Sequence, residues 1–384
     1  MSCTLCSVRK RSCRVDEDST FHLVAASPSM GILLSGILAE HHLVFEQQGN
    51  LFTLLSPGSS KGGANGQAGA NGKANARIVE LLRQVLSEPE RRAISAFTDD
   101  GTDFPVPRPL DEWWRVFETE WFELALEEDR FMTWFQPIVD TSTNTTLAHE
   151  CLIRLQMGRI FSGAEIVDAA CVRHEVHRFD SYARSLALRS AARQSVDAVY
   201  FVNFMPSSIY NPELCLKTTM QTLDESGMKP ANVVFEVVES ELVRDPAHLR
   251  RICDYYRNRG FGFALDDVGT GSNSLQMVCE LRPDFIKLDK SLVQNVEQPM
   301  YAATIRKLVE LSDQFGVTVI AEGVERMEIQ ENLWLLDVQC MQGYLFGHPA
   351  PQLTLPENDL FNLAAALQIK SVAEPATARA VMVN

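Results

Sequence analysis

Val233-Val234-Phe235-Glu236-Val237-Val238-Glu239 is a short run of β-branched and aromatic residues broken only by carboxylates. Three later stretches repeat the pattern: Phe263-Ala264-Leu265-Asp266-Asp267, Phe285-Ile286-Lys287-Leu288-Asp289 and Val317-Thr318-Val319-Ile320-Ala321-Glu322-Gly323-Val324-Glu325. Apolar runs of this length, separated by helix-length segments, argue for a parallel sheet of repeated βα units. Acids at the carboxyl ends of successive strands are where a (β/α)8 barrel keeps its chemistry. Carboxylates brought so close cannot all stay ionised without cations. The pattern reads as a metal-dependent barrel enzyme or a descendant of one.

Working outward, the strand candidates are Phe131–Val139, Leu147–Arg154, Val199–Phe204, Asn232–Val238, Phe261–Leu265, Phe285–Leu288, Val317–Ala321 and Val338–Phe346. Only about seven residues join the first two, and a parallel crossover needs a dozen or more, so that pair is expected to be antiparallel. The fold class expected is α/β: a modified TIM (β/α)8-type barrel with an antiparallel first strand pair, preceded by a small α+β N-terminal region.

Composition divides the 384 residues into five stretches. Residues 1–55 read as a small α+β region with a Cys-rich start. Residues 56–76 have the Gly, Asn and Ser content of a flexible linker. Residues 77–120 read as a helical connector, with Ile78, Leu81, Leu82, Val85 and Leu86 at amphipathic spacing. There Asp111 is the expected cap of a helix whose aromatic stripe (Trp113, Trp114, Phe117, Trp121) is assigned to the barrel's outer face or a partner helix. Residues 121–353 form the barrel, and 354–384 a C-terminal helix and tail.

A net charge of −15 and a pI near 5.0 argue against binding duplex nucleic acid, which calls for a basic face. The longest mostly apolar stretch, Met30 to Ala39, is about half of the roughly 20 residues a bilayer requires, so no membrane association is expected. Nine cysteines, an odd number, favour reduced thiols and a cytoplasmic location over a disulfide framework. Cys3, Cys6 and Cys13, with His22 as a conceivable fourth ligand, form either a metal or redox site or part of an unstructured tail, because their spacing matches no standard zinc pattern. What regulatory partner the N-terminal region contacts is not legible in the sequence.

Taken together, Phe135-Gln136-Pro137-Ile138, Glu150-Cys151-Leu152-Ile153-Arg154, Val202-Asn203, Phe235-Glu236-Val237-Val238-Glu239, Asp266-Asp267-Val268-Gly269-Thr270-Gly271, Ile286-Lys287-Leu288-Asp289, Ala321-Glu322-Gly323-Val324-Glu325 and Gln342-Gly343-Tyr344 resemble the EAL domain, the cyclic-di-GMP-specific phosphodiesterase family. The resemblance implies a hydrolase acting on cyclic di-GMP with two Mg²⁺ or Mn²⁺ ions per site. It implies Glu150, Asn203, Glu236 and Asp266 as ligands of one cation, and Asp266, Asp267 and Glu322 as ligands of the other. Oxygen donors suit these hard cations. It further implies catalytic roles for Glu322, Lys287 and Asp267, and substrate contacts from Arg154, Gln136, Gln342 and Asp289. Glu239 and Glu325 would orient the metal ligands. A homodimer through the barrel is also implied.

The sequence departs from the family pattern after Asp267, where Val268 and Ser272 replace two aromatic residues. Looser packing of that loop and weaker binding of the second cation are expected. The alternative reading is a catalytically weak EAL domain that acts as a cyclic di-GMP receptor or protein-interaction module. An enolase-like barrel fits less well, because the second strand offers Glu150 and Arg154 in place of a lysine base pair.

Overall fold

The computed structural model describes residues 20–55, 71–99, 107–143, 145–194, 198–238, 246–269 and 274–353. It divides into two compact units, one running to Arg130 and including Ala164–Val176, the other comprising Phe131–Gly163 and the chain from His177. Cys3, Cys6, Cys13, most of the expected linker and the whole C-terminal helix and tail lie outside the described residues.

The N-terminal unit is built on strands β1 (Thr20–Ala25), β2 (Phe45–Gln48), β3 (Leu51–Leu54), β4 (Ile94–Asp99) and β5 (Arg108–Pro109), arranged in the order β2-β3-β1-β4-β5. All its pairings are antiparallel. Alternation along β1 buries Phe21, Leu23 and Ala25 against Leu34 and Leu38 of the helix Pro28–Glu40, and against Leu82, Trp113 and Phe117. His22, on the opposite face, bonds Thr53 Oγ1 at 3.1 Å and stacks on Phe97.

Residues 77–120, expected as a helical connector, therefore supply two strands, β4 and β5, and a large part of this core. Of the two places expected for the aromatic stripe, a partner helix holds for Trp113 and Phe117, which share this core with Ile78 and Leu82 of the helix Asn71–Val85. Trp113 donates its indole N–H to the Ala96 carbonyl at 2.7 Å and meets Phe21 edge-on, which places it inside the N-terminal unit. Asp111 lies within the helix Leu110–Glu118 and pairs with Arg91 instead of capping.

The second unit is the expected barrel. Its strands are β6 (Phe131–Asp140), β7 (Thr145–Met157), β8 (Arg159–Phe161), β9 (Val199–Asn203), β10 (Val233–Val238), β11 (Gly262–Val268), β12 (Phe285–Leu288), β13 (Thr318–Ala321) and β14 (Cys340–Gln342). The nine-stranded order β6-β14-β13-β12-β11-β10-β9-β7-β8 closes through an added β6–β7 pairing, so eight strands form the ring and β8 hangs on β7. β6 runs antiparallel to both neighbours and the other ring pairings are parallel. The tight β6–β7 turn is set by Asp140 Oδ1, which accepts from the Ser142 N–H at 2.8 Å.

The last strand stops at Gln342 instead of reaching Phe346, because the chain turns there, the Gly343 carbonyl accepting from the Phe346 N–H at 3.0 Å, and Gly343 lies against the Val324 backbone. A Cβ there would come within 2.0 Å of the Val324 carbonyl oxygen. Gly343→Ala is therefore expected to destabilise the barrel by about 3 kcal/mol, read as a lower midpoint in urea. An unchanged midpoint would show that this backbone contact yields freely.

Candidate active site

Inside the barrel, Ile138, Ala148, Phe201, Val234, Ala264 and Ile320 pack as one apolar layer, joined by Phe285 and Cys340. Side chains on one face of a strand recur every second residue. Two residues further toward the carboxyl ends, the parallel strands present Glu150, Asn203, Glu236, Asp266, Lys287, Glu322 and Gln342. β6 runs the other way, so it supplies Gln136 two residues before Ile138. Each ring strand thus adds one polar residue to a single layer above the apolar one.

Lys287 sits at its centre, fully buried. Its Nζ lies 2.5 Å from Glu322, 2.6 Å from Glu236, 3.2 Å from Glu150 and 3.7 Å from Asp266. Burial alone would pull this ammonium down, but Asp266, Glu150, Glu236 and Glu322 outweigh it and hold the pKa well above the usual lysine value. Four carboxylates around one ammonium leave a surplus of negative charge, and the carboxyls divide it unequally. Burial raises Glu236 well above the carboxylate range, with Asp266, Glu150 and Glu322 adding repulsion against the pull of Lys287. Burial likewise pushes Glu322 up to about 8. Glu150 is lowered despite its burial, because Lys287 and hydrogen bonds from Gln342 and Asn203 stabilise the anion. Those bonds are Asn203 Nδ2 to Oε1 at 3.0 Å and Gln342 Nε2 to Oε2 at 2.7 Å.

Glu236, Asp266 and Glu322 each bring a carboxylate oxygen within 4.8 Å of the others. Glu236 Oε2 is buried with no hydrogen-bond partner. An orphaned carboxyl oxygen in an all-oxygen cluster of surplus charge fits a hard divalent cation. A cavity of about 160 Å³ adjoins the layer, lined by Gln136, Glu150, Glu322 and Gln342 together with Lys290, Gly323, Glu325, Gly343 and Tyr344.

The other expected residues sit around this layer. Asp267 takes a left-handed backbone (φ 57) and is half-buried. Burial, then the neighbouring Asp266 and Asp289, raise it to about 6. Asp289 bonds Asp267 and also caps the helix Lys290–Val293 by accepting from the Ser291 N–H at 2.8 Å. Arg154 lies over the Trp134 ring and donates to the Ile153 carbonyl at 2.8 Å. Glu325 is tied to Lys290 at 2.6 Å. Glu239 lies outside the described residues, as do Thr270 to Asn273.

Val268, expected to leave its loop loosely packed, is buried in the core and paired with Leu288, because β11 continues through it. Sequence reading assigned no role to Lys290 or Tyr344. The signal for Lys290 was Gly323: its φ of 64 and the 2.5 Å approach of a Cβ there to Lys290 Cγ show the lysine stem lying across it.

A family model described as EAL domain matches residues 119–349. The cyclic di-GMP phosphodiesterase RocR of Pseudomonas aeruginosa is 37% identical over 131 residues, which cover 34% of this chain and 33% of that protein. A standalone versatile EAL protein from Vibrio cholerae O395, solved in its c-di-GMP-bound form, is 28% identical with a TM-score of 0.56, covering 60% of this chain and 97% of that one. BlrP1 of Klebsiella pneumoniae, solved as a manganese/cy-diGMP complex, shares the fold at 19% identity and a TM-score of 0.53 over 88% of this chain and 97% of that one. The matches span about a third of the length of the first curated relatives. Among the described residues no helix is long and apolar enough to cross a membrane, and the six described cysteines are unbridged.

Proposed function

The chain belongs to the EAL domain family, and from that premise we propose that it hydrolyses cyclic di-GMP to linear pGpG with two divalent cations, Mg²⁺ or Mn²⁺. The observation that carries this reading is the single layer to which every ring strand contributes, with Glu236, Asp266 and Glu322 converging on one point. Glu150, Asn203, Glu236 and Asp266 would hold one cation, and Asp266, Asp267 and Glu322 the other. When bound, the pair supplies charge neutralisation for an anionic substrate and Lewis acidity toward water and the phosphoryl group.

The chain's own residues do the rest. Water adds across one P–O bond of the ring; its oxygen joins phosphorus, and the leaving ribose oxygen takes a proton. Glu322, which lines the cavity, is suited to accept and pass on that proton. Lys287 keeps an ammonium in a dry site where charge develops on the phosphoryl oxygens. Arg154 offers a planar fork to a phosphate. Gln342 donates to both Glu150 and Gln136, fixing the orientation of the carboxylate.

A time course of the purified chain with cyclic di-GMP and Mn²⁺, resolved by chromatography, tests the reading. Accumulating pGpG supports hydrolysis, whereas ligand that is bound but never cleaved supports the receptor reading. Proton competition sets a pH dependence. A carboxyl raised to about 8 is protonated below that pH, so Mn²⁺ affinity should climb as pH rises through about 8 and level off above it. Dissociation constants measured from about pH 6 to about pH 9 check this, and a flat profile would remove Glu322 from the ligand set.

A further inference from the structure

The loop behind Asn203 is anchored by two buried charges that the proposed reaction does not use. Asp180 and Arg184 lie one turn apart on the helix Val176–Ala192, 3% and 1% exposed. The Asp180 carboxylate accepts from the Met205 N–H at 2.8 Å, from Ser208 Oγ at 2.5 Å and from Arg184 Nη1. Arg184 Nε in turn reaches Thr219 Oγ1 at 3.2 Å. Stability alone does not call for such a pair, because apolar residues of similar volume usually serve a core as well or better.

What the pair fixes is the stretch that follows β9. The Asn203 side chain donates to Glu150 Oε1 at 3.0 Å. Phe204 donates its N–H to the Glu236 carbonyl at 3.0 Å, and its ring packs against Tyr256 at 5.5 Å. Met205 then closes on Asp180. Three consecutive residues are thus held to three different elements: β7, β10 and the helix Val176–Ala192.

We propose that Asp180, neutralised by Arg184, is the positioning residue of Asn203, fixing the backbone that aims the Asn203 amide into the acidic layer. This rests on the reading of that layer as a cation site. Asp180 itself touches neither the layer nor the cavity lining.

The test is a mutant cycle on the full chain. Asp180→Ala with Arg184→Met removes both charges together and leaves no unpaired one. The Kd for Mn²⁺ should rise by about 10-fold in the otherwise natural chain, and not rise further in an Asn203→Ala background. Hydrogen exchange at the Met205 amide and its neighbours should accelerate while the rest of the barrel keeps its protection. An unchanged Kd, or the same rise in both backgrounds, overturns the proposal, the second because it marks a general loss of stability.

If the natural chain takes up no Mn²⁺, the functional reading fails by itself and the exchange measurement decides the positioning role. Unchanged protection over 203–208 then overturns it. Should the double variant not fold, Asp180→Asn and Ser208→Ala carry the same measurements.

Discussion

Lys287→Met is expected to lower the stability of the metal-free chain by about 3–5 kcal/mol, because it leaves buried carboxylates facing one another without their counter-ion. The ammonium is fully buried and lies within 4 Å of Glu150, Glu236, Asp266 and Glu322. The sign of the pH dependence follows from these contacts. Carboxyls held above their unfolded pKa make the native state bind more protons, so the variant should lose stability as pH rises from about 5 to about 9. Mn²⁺ should restore stability by replacing the missing cation. Turnover should remain about 10²- to 10³-fold down, since charge on the phosphoryl group is then unmatched. Urea titrations with and without Mn²⁺, run beside pGpG assays, check both halves. A variant equal in stability to the natural chain in EDTA would show that Lys287 does not balance this cluster.

The second large effect is expected of Glu150→Ala. Glu150 is held below the ordinary carboxylate value by Lys287 and by its hydrogen bonds, and it accepts from Asn203, Gln342 and Lys287. Its removal takes away an anion ready for a cation and the acceptor of the Asn203 amide, and leaves Lys287 and Gln342 with only their other partners. Metal affinity should fall by about 10-fold or more, with pGpG formation lost at ordinary metal concentrations. The conservative Glu150→Gln keeps the hydrogen-bonding shape and should fold better while remaining inactive. Undiminished turnover in the Ala variant would remove Glu150 from the ligand set.

The barrel and its polar layer were legible in the sequence because a strand buried on both faces is a plain apolar run, and a charge inside it has few structural uses. Glu236, Asp266, Lys287 and Glu322 each break such a run. Their convergence follows from strand periodicity, since each stands two residues beyond a member of one apolar layer. The N-terminal unit was less legible. β4 pairs with β1 across roughly 70 intervening residues, a long-range pairing that local patterning does not encode. The helical spacing of Trp113 and Phe117 gave the element but not its partner.

Asp289 shows the same limit at the scale of one side chain. A single acid after a strand is also a good helix cap, and Asp289 serves in that way while bonding Asp267. Val268 shows it in reverse. A missing aromatic suggested a loose loop, whereas the position is filled by a strand residue in register with Leu288. Neither the Asp180–Arg184 pair nor its grip on Met205 is visible without the fold, because it joins a helix to a loop 25 residues away.

The most direct test of the account is a calorimetric titration of the full chain with Mn²⁺ near pH 7.5, repeated on Glu236→Gln. The account predicts uptake of two cations per chain with release of protons, and loss of at least one of those sites in the variant. Absence of Mn²⁺ uptake by the folded natural chain, or uptake indifferent to Glu236→Gln, would contradict the reading of the barrel's polar layer as a cation site.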